Sequence, residues 1–360
     1  MYSSFKVKNF RGFESLEINN LSRVNLIAGL NNVGKTALLE ALFLYGGAYN
    51  PALTITINSL RGIETIIVES ASDKTPWDSY FYNFKIDKQI ELIGVDDANR
   101  HRILKFKVAR PSMEEISEKI QLNRAEILSG KGQKLIGVNS TILELEFEET
   151  GKKKGKAILV VDGNGIRSQV IRPPPFQTVF LPSRSRTSVI ESAERFGNLD
   201  IIGKQEILLE ALKTFEPRLR RLSVLVIGGV PMIHGDIGLN RLLPLPQMGD
   251  GMTRLAEIIL AIGNAPNGMV LVDEIENGIH HSTMSNVWRT IDKASQLFNT
   301  QVFATTHSLE CIKAAHSVFK ENDIYDLKVH RLERTDATVC ALTYGKDELD
   351  AAFEIMLEVR

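Results

Sequence analysis

The chain has 360 residues, 43% apolar and 24% charged, ordinary usage for a globular protein, which excludes collagen-like, disordered and disulfide-scaffold chains. Its 43 Lys+Arg against 44 Asp+Glu leave a net charge of -1, so no global attraction to nucleic acid or an anionic membrane exists and any such contact must be local. Cys311 and Cys340 are the only cysteines, too few for a disulfide framework or a four-thiolate zinc site, and with no signal-peptide or membrane-spanning run they point to a reducing, cytoplasmic setting.

In chain order, Phe5 to Val7 and Leu16 to Ile18 read as short strands around a turn at Arg11-Gly12, and Val24 to Ala28 as a buried strand ending at Gly29. The helix formers Thr36 to Leu44 follow and stop at Gly46-Gly47. Residues 50–172 form a β-rich lobe or insertion, with strands expected over Gln89 to Gly94, Arg102 to Ala109, Thr141 to Phe147 and Lys156 to Val161, and a helical stretch near Met113 to Leu128. After Pro173-Pro174-Pro175, Thr178 to Leu181 reads as a strand, Glu191 to Phe215 as helical, and Leu222 to Ile237 as a hairpin around Gly228-Gly229. The last third alternates a helix at Thr253 to Ile262, a strand at Met269 to Val272, a helix at Thr283 to Leu297 and a strand at Gln301 to Thr305. The expected architecture is therefore α/β, a mixed sheet with helices plus a β-rich lobe, in one domain over 1–360 made of segments 1–49, 50–172 and 173–360.

Four motifs carry chemistry. Gly29-Leu-Asn31-Asn32-Val33-Gly34-Lys35-Thr36 fits the P-loop pattern between a strand and a helix. A triphosphate needs inward backbone N–H groups, a helix N-terminus through Ala37 and a lysine for its outer phosphates, while Thr36 would ligate Mg²⁺. Met269 to Glu274 is an apolar strand ending in two acids, in which Asp273 would hold Mg²⁺ and Glu274 would orient and deprotonate the attacking water. Gln301 to Ser308 delivers His307 to the ligand edge of the sheet, within reach of a γ-phosphate. Met248-Gly249-Asp250-Gly251-Met252 is a second glycine turn opening a helix, and two such anion sites so far apart suggest ATP sandwiched between two copies.

These motifs, together with Lys8-Asn9-Phe10-Arg11-Gly12-Phe13 and Val272 to Asn277, resemble the ABC-type ATPases of the SMC and RecF group, closest to the OLD-like branch. The resemblance implies a P-loop NTPase fold of ABC/SMC-head type. It also implies an ATP-bound homodimer or higher oligomer in which Met248 to Met252 is the signature turn on the opposite subunit's γ-phosphate, Glu276 to His281 the D-loop, and His307 the switch histidine. Against the common L-S-G-G-Q form, Gly249 replaces the serine and Asp250 a glycine, adding negative charge near phosphate. Gln177 and Ser183 both remain open as the Mg²⁺-sensing residue of the Q-loop, and Arg11 either touches nucleotide or is a solvated charge. Lys152-Lys153-Lys154 reads as a solubilising hairpin tip before a DNA contact, and His280-His281 as structural before metal-binding.

The implied function is an ATP-hydrolysing dimeric switch that regulates a separate effector, with a TOPRIM-type nuclease in anti-phage defence as the candidate. The roughly 50 residues after His307 leave no room for a TOPRIM domain in this chain. The alternative is a RecF-like, ATP-dependent DNA clamp with strongly salt-dependent binding. A transporter ATPase does not suit the N-F-R-G-F start, a GTPase lacks N-K-x-D, and a carboxylate for water favours hydrolysis over phosphotransfer to a metabolite.

Overall fold

The fold was described from a computed structural model over residues 1–47, 49–63, 66–67, 75–109, 126–127, 135–136, 141–162, 165–169, 174–335 and 338–360. Its strands are β1 (Tyr2–Phe10), β2 (Phe13–Ile18), β3 (Val24–Ala28), β4 (Ile66–Ile67), β5 (Ile90–Asp96), β6 (His101–Ala109), β7 (Glu126–Ile127), β8 (Leu135–Ile136), β9 (Thr141–Glu149), β10 (Gly155–Asp162), β11 (Gly165–Gln169), β12 (Thr178–Leu181), β13 (Arg221–Ile227), β14 (Val230–Asp236), β15 (Leu243–Pro244), β16 (Met269–Val272), β17 (Gln301–Thr305), β18 (Leu327–Thr335) and β19 (Thr338–Tyr344). The helices are α1 (Lys35–Gly46), α2 (Leu53–Leu60), α3 (Val189–Ile201), α4 (Glu206–Lys213), α5 (Asp250–Gly263), α6 (Met284–Phe298), α7 (Leu309–Lys320) and α8 (Lys346–Glu354).

Two sheets enclose α1. The six-stranded sheet runs β12-β16-β17-β3-β18-β19, parallel except for the antiparallel edge strand β19. Strands β3, β16 and β17 are buried at every position because both faces are covered, and the two-residue period splits their apolar side chains between two cores. Val24, Leu26, Val270, Val272, Val302 and Ala304 face the core shared with α3 to α7, while Ile27, Leu271 and Phe303 face the core shared with α1. Helix α1 is buried nearly all round, as its run Ala37 to Leu44, apolar except for Glu40, requires and an amphipathic surface helix would not allow.

The second sheet, β2-β1-β5-β6-β9-β10-β11-β7, is antiparallel. Strands β5, β6, β7 and β9 to β11 of residues 50–172 therefore continue the N-terminal hairpin, Val7 lying opposite Leu92 and Phe5 opposite Gly94, while β4 and β8 form a separate parallel pair. Phe5, Val7, Phe10 and Phe13 bury one face of this sheet against α1. Most of the helical stretch expected near Met113 to Leu128 lies outside the described residues, and Glu126–Ile127 within it is a strand paired with β11. The helical span Glu191 to Phe215 is two helices, because Gly203 takes a left-handed φ of 66° between them. Among the described residues no helix is long and apolar enough to cross a membrane.

Candidate active site

The P-loop turns back on itself through left-handed residues, with φ of 63° at Asn32 and 112° at Gly34. Gly34 is required twice over: a side chain disfavours that φ, and a Cβ would stand 2.6 Å from the Phe13 ring. The first intrahelical bond of α1 runs from Leu38 N–H to Gly34, so the N–H groups of Lys35, Thr36 and Ala37 have no carbonyl one turn back and are left for an anion. Lys35 Nζ donates to the carbonyls of Gly29 at 2.6 Å and Leu30 at 3.1 Å, which folds the lysine over the loop with one N–H in hand. Burial lowers its pKa, while Asp273, Glu276 and Glu274 act in the opposite direction. All three acids thus face the phosphate loop.

The parallel sheet assembles the next layer. Asp273 follows β16, Thr305 ends β17 and Ser183 follows β12, three neighbouring strands whose C-terminal ends converge. Thr36 Oγ1 donates to both oxygens of Asp273 at 3.1 and 3.2 Å, Ser183 Oγ to Oδ2 at 3.2 Å and Thr305 Oγ1 to Oδ1 at 2.7 Å. Asp273 is buried, and among the described residues no Lys or Arg pairs with its carboxylate; Arg254 Nη2 donates instead to its backbone carbonyl at 2.7 Å. A buried carboxylate ringed by hydroxyls and without a direct ion pair among the described residues fits a hard divalent cation with oxygen ligands. Of the two residues left open for the Q-loop, Gln177 lies at the opposite end of β12, its carbonyl accepting from Met269 N–H, and Ser183 reaches Asp273.

Glu274 leaves the strand through a left-handed φ of 48°, and its N–H donates to Thr305 Oγ1 at 2.8 Å. Thr305, which the sequence did not single out, therefore fixes both acids. Glu276, expected as part of the interface loop, turns back into its own subunit: its Oε1 accepts from Thr306 Oγ1 and His307 N–H, each at 2.9 Å, and lies 3.1 Å from His307 Nδ1. That carboxylate favours a proton on Nδ1 and orients the exposed ring of His307. No local spacing reveals this pairing, since it joins the ends of two strands.

Of the sequence alternatives for Arg11, a nucleotide contact or a solvated charge, the structure overturns the second, because the side chain is ion-paired and only 12% exposed. Its Nε lies 2.6 Å from Glu40 Oε2, its guanidinium sits 4.4 Å from the Tyr80 ring centroid, and Glu40 also holds Arg61 at 2.5 Å. With Glu40 2% exposed, Glu40→Gln is expected to leave Arg11 buried without its countercharge and to cost about 3 kcal/mol. Urea unfolding would measure this, and an unchanged midpoint would refute the structural role.

The signature corner lies elsewhere on the chain's own surface. Gly249 precedes α5 with open space around its Cα, and the nearest neighbours of Gly251 are the Gly278 carbonyl and the Phe215 ring, both 3.1 Å from where a Cβ would stand. The corner thus rests on the Glu276 to His281 turn. Asp250, the negative charge unexpected at this motif, pairs with Arg186 at 3.0 Å. Lys152, Lys154 and Lys156 pair with Glu149, Glu148 and Glu146 at the β9–β10 turn, and His280 caps its own turn by accepting from Ser282 N–H.

Residues 153–312 match the family described as "AAA domain, putative AbiEii toxin, Type IV TA system", and residues 1–91 match the family described as "AAA ATPase domain". The chain is similar to an "ATP/GTP phosphatase" of Helicobacter pylori, 25% identical over 378 residues and covering 98% of each chain. It is 33% identical over 101 residues to an uncharacterized protein of Methanocaldococcus jannaschii, covering 28% of this chain and 45% of that one. Among solved structures, an Smc head bound to the C-winged helix domain of ScpA matches its fold with a TM-score of 0.50 at 12% identity, covering 97% of this chain and 99% of that one. The P-loop, the two matched ATPase families and the similarity to the phosphatase agree that the chain is an ATPase, and its fold is a P-loop NTPase fold like that of SMC heads.

Proposed function

We propose that the enzyme is a nucleotide-driven dimeric switch that binds ATP with Mg²⁺, closes, hydrolyses, and so controls a separate effector protein. The observation that carries the ATP site is the convergence of Thr36, Ser183 and Thr305 on buried Asp273, which has no direct Lys or Arg ion pair among the described residues, beside the P-loop lysine. Thr36 and Asp273 would hold the metal, which when bound neutralises charge on the outer phosphates. Gly29 to Ala37 would cradle the phosphates, Lys35 would hold the outer ones, Glu274 would take the proton from water, and His307, steadied by Glu276, would contact the terminal phosphate.

Closure needs a second copy because the corner of Gly249 and Gly251 packs on its own Gly278 turn, which would carry both features into one interface with the partner's P-loop. Arg186 offsets Asp250 there, lowering the charge penalty that Asp250 would impose on an approaching phosphate. A role alongside a second protein is supported by the toxin–antitoxin description of the family matched at 153–312; a TOPRIM-type nuclease in anti-phage defence is the effector we propose. One experiment tests assembly in trans. Mixing Gly251→Asp and Lys35→Ala chains, each inactive alone, is expected to restore roughly one site in four, since half the dimers at equal mixing are mixed and each holds one intact site. Absence of recovery would rule out a shared site.

A further inference from the structure

The P-loop has two flanks. On the side of β17 and β16 lie Thr305, Asp273 and Ser183, the end assigned above to metal and terminal phosphate. On the other side stands β18, parallel to β3 with Arg331 opposite Ala28. Its backbone presses on the loop: a Cβ at Gly29 would lie 2.6 Å from the Leu332 carbonyl. Between loop and strand is a cavity of about 430 Å³, bounded by Leu30, Asn31 and Asn32 on one wall and Arg331, Glu333 and Arg334 on the other, with no aromatic ring in its lining.

The two arginines differ. Arg331 is held by Glu333 at 2.9 Å and by the Glu358 carbonyl. Arg334 is exposed and has no carboxylate partner among the described residues. Its Nη2 donates to the Asn32 carbonyl at 3.4 Å, which ties it to the loop wall of the cavity, and lies 3.9 Å from the Cβ position of Gly12 in the β1–β2 turn.

We propose that this cavity takes the nucleoside end of the bound triphosphate and that the Arg334 guanidinium is the surface on which the base stacks. The proposal rests on the reading that the terminal phosphate lies at Asp273. A triphosphate fixed at that end must leave the loop on the β18 flank, and the cavity there is of small-ligand size. A guanidinium is planar, delocalised and weakly hydrated, and it stacks on π-faces without the hydrogen-bond pattern that distinguishes one base from another. Every base has such a face. Arg334 therefore contributes affinity for a purine nucleotide without selecting adenine over guanine.

The test uses the full chain carrying Arg334→Ala, Arg334→Lys or Arg334→Phe, with ATP, GTP and inorganic tripolyphosphate displacing a fluorescent ATP analogue. Arg334→Ala is expected to weaken ATP and GTP by one common factor, about tenfold, and to leave tripolyphosphate unchanged. Arg334→Phe should restore nucleotide affinity where Arg334→Lys does not, because the plane and not the charge is at work. A parallel loss of tripolyphosphate binding would show Arg334 to be a phosphate ligand and overturn the proposal, as would unequal losses for ATP and GTP or no loss at all. Failure of the underlying P-loop reading is told apart by Lys35→Ala: tripolyphosphate binding unaffected by that change would remove the phosphate site itself.

Discussion

Glu274→Gln is expected to bind ATP as tightly as the unaltered chain while turnover falls about 10²- to 10⁴-fold. The substitution keeps the shape of the side chain and removes the oxygen that, in the proposed role, would accept the proton from water. Its backbone setting should persist, because the left-handed corner at Glu274 is fixed through an N–H bond to Thr305 Oγ1 and not through the carboxylate. If hydrolysis opens the dimer, the variant should accumulate as an ATP-bound dimer in sedimentation, and nucleotide should remain on it after gel filtration. Ordinary turnover would remove Glu274 from the role of base. Lost turnover with no accumulated dimer would separate hydrolysis from opening.

Lys35→Ala should have the second largest effect, acting on binding before chemistry. Lys35 is the only cation among the loop residues Gly29 to Thr36, and three acids, Asp273, Glu274 and Glu276, act on it electrostatically. Without it, phosphate oxygens would meet those carboxylates with one fewer countercharge. A hydrogen bond to a charged group contributes about 1.5–3 kcal/mol, so the loss in affinity should approach 10²-fold by isothermal titration calorimetry, and ATP should no longer shift the sedimentation profile. An unchanged profile would contradict the assignment of Lys35 to the outer phosphates.

What was legible in the sequence follows from how local each signal is. Val24 to Ala28, Met269 to Val272 and Gln301 to Thr305 are short runs bounded by turn residues, and each is a fully buried strand, because a strand covered on both faces has no polar alternation to disguise it. The phosphate loop was visible for a similar reason: its glycines and lysine are contiguous. Pairings across strands were not. Glu276 with His307, Thr305 with Asp273 and Arg11 with Glu40 join residues that only the sheet order and the packing of α1 bring together. The same holds for the antiparallel sheet, where β1 and β5 are neighbours although some 80 residues separate Val7 from Leu92. Arg186 on Asp250 likewise softens a departure from the family motif that the bare sequence made look severe.

In the proposed dimer, a nucleotide gripped by the P-loop of one copy is capped by the Gly249 to Gly251 corner of another. A crystal structure of Glu274→Gln with ATP and Mg²⁺ tests this capping most directly. The expected result is a two-fold dimer with the partner's corner within hydrogen-bonding distance of the γ-phosphate held at Lys35. A γ-phosphate contacted only by its own chain, with that corner turned to solvent in every copy, would contradict it.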